Sequence, residues 1–460
     1  MNRSTVRDKK LRVLYIAESY PPDYGGGGVV YLRDVCRTLS GRGHEVRVLC
    51  VEGRDAEDYS IRTEYDGAIR VDRINLPYFY KEDPEGWQLR FSDWRRHERR
   101  ISSILNCMLD EWTPDIINYN TVRPFGEESF LTIKRRGIPN VVLTHEAWLI
   151  CGRLFLLRSP TSKPCSGPGV ARCLQCMYSN YDGRVRSTIK LPWRILKLGT
   201  KPAYRLWRRR KVRQSVEGIF AYSQFNAKKH EGHIPGIVKH IPLGINLDNR
   251  PAQTATRPRV PLRFGFIAGF QPIKGINHLL DAAMTLKEEG LQFEIHVWGP
   301  GQQQGQQEIE SRRLQDRVFL RGMYSINEIF DVYSQIDVAV MATLVCEPFG
   351  RVIKEAAAVG CPSIAPSVGG ITEQIRSGID GLLYRFRDAK DLEAQMRRVL
   401  TEPDLLPRLI ANLQEVEDTR VLALAVEDFY FDILDKHQAA AKGVSYFALD
   451  AATTCSSNSE

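Results

Sequence analysis

Twice along this chain a short apolar run ends in a turn, gives way to a helix and is followed by a second apolar run. Leu11 to Ala17 reads as a buried strand. Tyr20-Pro-Pro-Asp-Tyr-Gly-Gly-Gly-Gly28, a helix from Val29 to Leu39, the turn Gly41-Arg-Gly-His44 and a strand from Val46 to Val51 come next. Leu262 to Ala268 starts the rhythm again, through a turn carrying Lys274-Gly275, a helix from Asn277 to Glu288 and a strand from Phe293 to Trp298. A strand, a crossover helix and a second strand form a parallel βαβ unit. At 460 residues the chain is too long for one ordinary core. The pattern predicts an α/β protein of two doubly wound domains facing across a cleft.

Strands at Ile69–Ile74, Ile116–Tyr119, Val141–Thr144, Ile219–Tyr222 and His240–Pro242, with a helix at Ile101–Leu109, complete a first domain of residues 1–245. Leu243-Gly-Ile-Asn-Leu-Asp-Asn-Arg-Pro opens a polar, proline-bearing linker, 246–261. Strands at Val318–Leu320, Val338–Met341 and Ser363–Ala365 and a helix at Leu392–Leu400 fill a second domain, 262–420. A last helix, 421–440, precedes a small, polar tail, 441–460, whose composition predicts disorder. No run of 18 apolar residues predicts a transmembrane helix. The basic lead runs into only about seven apolar-leaning residues, which fits a first strand and not a signal peptide. A cytoplasmic chain with its ten cysteines mostly reduced is the expectation.

The chemistry concentrates in Glu347-Pro-Phe-Gly-Arg-Val-Ile-Lys-Glu355. Eight helical residues span about 12 Å and rotate the second side chain well off the first. Both carboxylates can therefore serve one compact site only if Glu347 lies in a loop and Glu355 on the helix after it. Gly350 favours that break, and Val352 to Val359 then reads as a helix closed by Gly360 and Pro362. The bare amides at such a helix start, Phe349 to Val352, attract phosphate. An anion site flanked by two hydroxyl-accepting carboxylates suits a nucleotide sugar. Lys274 sits between a strand and a helix, where ligands of doubly wound folds bind, and is a point charge suited to a diphosphate. An exposed turn lysine would read the same way. Gly25 to Gly28 permit close backbone approach to a ligand, although a flexible surface loop has the same composition.

The run Glu347 to Glu355 continues through Ala356-Ala-Ala-Val-Gly-Cys-Pro, Gly369-Gly370-Ile-Thr-Glu373 and Gly378-Ile-Asp-Gly381. This ordered string resembles the E-x7-E signature of the retaining GT-B glycosyltransferases of family 4. The resemblance implies the GT-B fold, two Rossmann-like domains with the final helix crossing back onto the first. It implies transfer of a sugar from a UDP-, GDP- or ADP-linked donor, bound on the second domain, to an acceptor hydroxyl. Glu355 would take the ribose hydroxyls, Glu347 those of the donor sugar, and Lys274, Phe349, Gly350, Arg351 and Val352 the sugar and diphosphate. His145, at the end of Val141-Val-Leu-Thr-His, would stand in the cleft with Glu347 and Lys274 as a catalytic group. Gly27 and Gly28 match the family's Pro-Pro-x-x-Gly-Gly. In the implied mechanism the acceptor attacks from the face the leaving group departs, with the diphosphate as base and no cofactor or divalent metal for the chemistry. One position departs from the pattern: Gly269 stands where the family often carries an arginine, which leaves Arg351 as the substitute cation. Tyr222-Ser223-Gln-Phe and Ile241 to Asp248 match in register and are assigned no chemistry. Arg321-Gly-Met323-Tyr324 falls where family members hold the base.

Two further features stand outside that signature. Cys151, Cys165, Cys173 and Cys176 fall within 26 residues of a Gly/Pro-rich insertion, 146–180, and suggest a structural zinc that would order a lid. Similar insertions occur in a subset of the family; reduced thiols or a stress-induced disulfide are the alternatives. The formal net charge is +9, and between Arg184 and Arg213 there are twelve Lys or Arg residues and no Asp or Glu. Trp193, Tyr204 and Trp207 are interleaved with them. This segment, 184–213, reads either as an interfacial stretch for an anionic membrane surface or as a solvated basic helix with a core-facing stripe. No fingerprint of a nucleic-acid-binding module accompanies the charge, so nucleic acid is not an expected partner.

The reading is a retaining glycosyltransferase acting on a glycan or lipid-linked acceptor in cell-envelope or exopolysaccharide assembly. It would be cytoplasmic or peripheral on the inner face of the plasma membrane. A GT-B sugar-nucleotide epimerase and a non-catalytic basic scaffold are the competing classes.

Overall fold

The computed structural model describes residues 9–22, 27–52, 59–76, 91–121, 123–152, 154–158, 163–179, 199–248, 250–251 and 259–442. The first domain contributes β1 (Arg12–Ile16), β2 (Glu45–Val51), β3 (Ile61–Asp66), β4 (Ile69–Ile74), β5 (Ile116–Tyr119) and β6 (Asn140–Leu143). The short β7 (Leu157–Arg158) and β8 (Lys163–Pro164) pair only with each other, before β9 (Gly218–Ala221) and β10 (Ile237–His240) rejoin the main sheet. Its order is β10-β9-β6-β5-β1-β2-β4-β3, parallel except where β3 runs against β4. Every residue of β5, β6 and β9 is buried, as expected of parallel strands covered on both faces.

The second sheet holds β11 (Leu262–Ile267), β12 (Phe293–Trp298), β13 (Val318–Gly322), β14 (Val338–Val340), β15 (Ser363–Pro366) and β16 (Gly381–Tyr384). Its order is β13-β12-β11-β14-β15-β16, and every pair is parallel. In each sheet the strand order reverses at the first strand, β1 between β2 and β5 and β11 between β12 and β14. Such switch points open crevices at the carboxyl ends of the strands.

The chain crosses between domains at two places that pair with each other. Ile245 N–H donates to Glu417 O at 2.9 Å and Thr419 N–H to Ile245 O at 3.1 Å. Helix Thr419–Ala441 then lies on the first domain and buries Phe429, Tyr430 and Ile433 in the cluster that contains Tyr15, Val48 and Phe220. Each such side chain contributes about 2 kcal/mol through the apolar area it removes from water. A polar chain runs through the same contact: Asn118 Nδ2 donates to Tyr430 Oη at 2.5 Å, and Tyr430 Oη lies 2.7 Å from Tyr15 Oη. His44 and Arg42 pair with Glu427 of the helix, at 2.5 and 2.8 Å.

Several elements differ from expectation for physical reasons. β3 has an exposed, charged face and presents no apolar run to read. Helix Phe91–Glu111 starts ten residues before the expected Ile101, because its first turns bury Trp94, His97 and Glu98 in place of aliphatic residues. β10 ends at His240, where a strand was expected to begin. Helix Gln302–Ser311 buries only Gly305 and Ile309 and carries little apolar periodicity. Gly25 and Gly26, the basic stretch 184–198, linker positions 249 and 252–258, and residues 443–460 of the expected disordered tail lie outside the described residues. Among the described residues no helix is long and apolar enough to cross a membrane.

Helix Lys201–Arg213 corrects half of the membrane expectation. Lys201, Arg205, Arg208 and Arg209 are buried. Arg208 Nη2 reaches Glu98 Oε2 at 3.2 Å and Glu128 Oε2 at 2.8 Å, while Arg205 and Arg209 lie 3.6 and 3.7 Å from Glu127 Oε1. Glu127 is fully buried; the nearby guanidinium groups hold its carboxyl below the usual range against the burial that would raise it. Its neighbour Glu98 is pushed up to about 8 by burial and by Glu127. Arg209 also donates to the carbonyls of Trp148 and Cys151, and Arg213 to that of Leu149. The inner face of this basic helix thus fastens the loop that follows His145. Only its outer face, with Trp207, Arg210 and Lys211, meets solvent.

Candidate active site

Gly350 has φ +93° and forms the N-cap of helix Arg351–Ala358, a conformation that would cost a residue with a Cβ roughly 1–2 kcal/mol. The break it makes leaves Glu347 in the loop and Glu355 one turn into the helix, as the spacing required. Leu344 N–H donates to Ile273 O at 3.0 Å, and this lays the turn after β11 against the loop after β14. Lys274 and Glu347, 73 positions apart, consequently meet: Lys274 Nζ is 2.8 Å from Glu347 Oε1, which also accepts from Thr343 Oγ1 at 3.1 Å. Arg351 Nε donates to Glu355 Oε1 at 2.5 Å, and Tyr333 Oη donates to Glu355 Oε2 at 2.9 Å. Burial opposes the Arg351 charge, but Glu355 beside it more than offsets this and raises the arginine above its ordinary pKa.

A cleft of about 630 Å³ lies between the domains. His145, Lys274, Glu347, Gly350, Arg351, Val352 and Glu355 all border it. His145 comes from the end of β6 across the cleft. Its Nε2 is 3.0 Å from Asn120 Oδ1, and Asn120 Nδ2 donates to Gly28 O at 3.5 Å, so the amide turns its oxygen to the imidazole. Burial first, and then the Arg351 charge, lower the His145 pKa to about 4. At neutral pH it is an uncharged hydrogen-bonding group.

Three expectations change in detail. The Phe349 side chain does not border the cleft; its ring turns away and packs edge-on to Tyr222 at 5.9 Å, so only its backbone can serve a ligand. Gly27 begins helix Gly27–Gly41, and Gly28 borders a smaller, 180 Å³ cavity of the first domain with Glu18, Asn120 and His145. Gly28 lies against the histidine and does not itself border the larger cleft. Gly269 has φ +63°, and a Cβ there would come within 2.3 Å of Pro300 O. That backbone has no room for the family's arginine, and Arg351 is the cation the cleft offers beside Lys274.

The four cysteines do not form the expected zinc ligand set. Cys165 Sγ donates to Gly167 O at 3.5 Å, Cys173 Sγ accepts from Gly169 N–H at 3.4 Å, and Cys176 Sγ lies 4.0 Å from Leu157 O. With Cys151 they are half-buried and outside any disulfide. Among the described residues no group of three or more His, Cys, Asp or Glu side chains is arranged for a metal ion.

Thr343, Tyr333 and Asn120 escaped the sequence reading, as did a latch between the domains. Ser223 Oγ donates to Pro348 O at 2.5 Å. Glu373 accepts from the backbone N–H groups of Gln224 and Phe225 at 2.8 and 2.5 Å. Gly370 lets this contact close, since a Cβ there would meet Pro348 O at 2.1 Å and Ser223 Oγ at 2.7 Å. The signal was present in Gly369-Gly370-Ile-Thr-Glu373 and Tyr222-Ser223, but nothing in either stretch names the other as its partner. Met323 and Tyr324 border the cleft, and Arg321 Nε lies 3.3 Å from His296 Nδ1.

The architecture and its cleft are those of the GT-B glycosyltransferases, with the polar groups clustered on the second domain. Residues 25–249 match the family model described as Glycosyltransferase Family 4, and residues 255–416 the one described as Glycosyl transferases group 1. A glycogen synthase of Mycobacterium tuberculosis is 25% identical over 401 residues, 85% of this chain and 87% of its own. Among solved structures, a sucrose-phosphate synthase of Thermosynechococcus elongatus aligns with TM-score 0.64 and 18% identity, covering 91% of this chain and 98% of its own. The Anabaena protein Alr3699/HepE in complex with UDP-glucose aligns with TM-score 0.57 and 16% identity over 94% and 99%. The chain belongs to the family 4 glycosyltransferases, enzymes that move a sugar from a nucleotide sugar.

Proposed function

We propose that this enzyme transfers its sugar with retention of anomeric configuration to a hydroxyl of a lipid-linked glycan in cell-envelope or exopolysaccharide assembly. The observation that carries the reading is the pairing of Lys274 with Glu347 and of Arg351 with Glu355 inside one cleft. A diphosphate entering beside them competes with Glu347 for the lysine ammonium. The carboxylate it releases is then available to the hydroxyls of the donor sugar, while Glu355 takes those of the ribose. As the bond from the anomeric carbon to the diphosphate oxygen breaks, the acceptor oxygen bonds to that carbon on the same face. The acceptor proton passes to the leaving diphosphate. Lys274 and the first amides of helix Arg351–Ala358 stabilise the charge that develops there. His145 stays neutral and serves as a hydrogen-bonding group to the sugar or acceptor.

The donor class is supported by the Anabaena relative held with UDP-glucose. The membrane side rests on the outer face of helix Lys201–Arg213. There the Lys211 ammonium stands 3.9 Å over the half-exposed Trp207 ring, next to exposed Arg210. The test is thermal shift against UDP-, GDP- and ADP-sugars, with Glu355→Ala alongside. One donor class that stabilises only the unsubstituted enzyme is the expected result. No shift with any nucleotide sugar would sink the reading. Proton NMR of the product made from that donor reads the anomeric outcome, and an inverted linkage would reject retention.

A further inference from the structure

We propose that Tyr333, which does not border the cleft, is a positioning residue that prepares Glu355 to read the ribose of the donor. The proposal rests on the role given to Glu355 above. A carboxylate offers about four acceptor positions, two on each oxygen. In Glu355 one position on each oxygen is already used, Oε1 by Arg351 Nε and Oε2 by Tyr333 Oη. Two positions remain, one per oxygen, and a ribose cis-diol brings two donors. The protein's own bonds therefore leave the number of acceptors that the diol needs.

Packing makes Tyr333 a fixed donor. It lies on helix Ile329–Ser334, is 0% exposed, and sits in a cluster with Ile267, Trp298, Ile336, Ala356 and Cys361. Ile267 ends β11, the strand that leads into the Lys274 turn, and Ala356 follows Glu355, so the ring packs in one cluster with that strand and the helix that carries Glu355. Burial, with Glu355 next, raises its phenol well above the ordinary value, and the hydroxyl keeps its proton. Arg351, by contrast, borders the cleft, where a ligand's phosphate can compete for it. When the diphosphate draws on Arg351, Tyr333 is the partner that still holds the carboxylate plane.

The test is Tyr333→Phe, which removes the hydroxyl and keeps the ring that packs. Isothermal titration is run with UDP, GDP and ADP and with their 2′,3′-dideoxy forms, on the unsubstituted enzyme, Tyr333→Phe and Glu355→Ala. We expect Tyr333→Phe to bind the ribonucleotide about 10-fold more weakly and the dideoxy form unchanged, since a Glu355 no longer held in plane gives up about one charge-assisted hydrogen bond to the diol, which the dideoxy form does not make. In turnover the donor KM should rise by a similar factor while kcat holds. Equal weakening on both nucleotides would make Tyr333 a packing residue and overturn the proposal. So would an unchanged Tyr333→Phe beside a defective Glu355→Ala, and in that case the ribose role of Glu355 would survive. Binding by Glu355→Ala equal to that of the unsubstituted enzyme would remove the ribose role itself, and the Tyr333 proposal with it.

Discussion

In the stretch Glu347–Glu355 the Glu347, Arg351 and Glu355 side chains border a cleft, and Glu347 and Glu355 each pair there with a cation that a ligand's phosphate can draw on. In helix Lys201–Arg213 the Arg205, Arg208 and Arg209 side chains face inward, against Glu98, Glu127 and Glu128. Both stretches advertise charge in the sequence. What separates them is the surroundings of the partner: Lys274 is still partly exposed at its bond to Glu347, whereas Glu127 beside Arg205 and Arg209 is fully buried. A charge pair in a wet cleft is exchangeable and suits binding. A desolvated network is costly to break and suits scaffolding.

The sharpest way to break this contrast is Glu127→Ala. It strands buried guanidinium groups and should destabilise the fold by about 3–5 kcal/mol, read by urea denaturation. A loss under about 1 kcal/mol would mean that the network is hydrated and the contrast false. On the cleft side, Glu347→Ala should cut kcat at least about 100-fold, near 3 kcal/mol of transition-state stabilisation, with little change in unfolding. An equal loss of stability there would make the two regions alike.

Acid titrates the contrast differently. Burial lowers His97 to about 3, His145 to about 4 and His230 to about 4. Because the folded pKa values lie below the unfolded value of about 6.5, their stabilisation is fully present above that pH. It is lost as pH falls from about 6.5 to 4, by up to about 3 kcal/mol for His145 alone. Denaturation measured across this window should flatten in His145→Gln relative to the parent; identical slopes would count against a neutral His145.

Smaller effects sharpen the picture. Glu373→Ala removes a cap from the opposite domain and should lower stability by about 1–2 kcal/mol, together with a rise in donor KM if the latch holds the cleft closed. Charge reversal at Arg210 and Lys211 should leave unfolding within about 0.5 kcal/mol. It should weaken sedimentation with phosphatidylglycerol vesicles by about 1 kcal/mol per charge. Undiminished vesicle binding would leave the outer face of this helix without the membrane role proposed for it.

The residues that could be read in advance share a property: their role depends on close neighbours in the chain. Gly350 breaks the helix for Glu355 five residues on, and β5 and β6 announce themselves as continuous apolar runs. Phe349 could not be placed, because whether its ring enters the cleft or packs on Tyr222 depends on how the two domains close. Nor could the cysteines, whose closing C-x-x-C pair and irregular earlier gaps say nothing about where loop backbones direct each thiol. Helix Phe91–Glu111 was cut short for the same reason: Glu98 reads as a surface residue until Arg208, 110 positions away, is brought against it.

By itself the sequence determined two doubly wound domains, the strand–turn–helix units whose strand ends build the cleft, and the loop-then-helix placement of Glu347 and Glu355. These follow from 2.0- and 3.6-residue periodicities and from local backbone preferences, which act over a few positions. Only the tertiary structure decided which charges meet water and which meet each other, that Tyr333 holds Glu355, and that Ser223 and Glu373 join the domains. Desolvation and pairing depend on what surrounds a group in space, and distance along the chain does not set that.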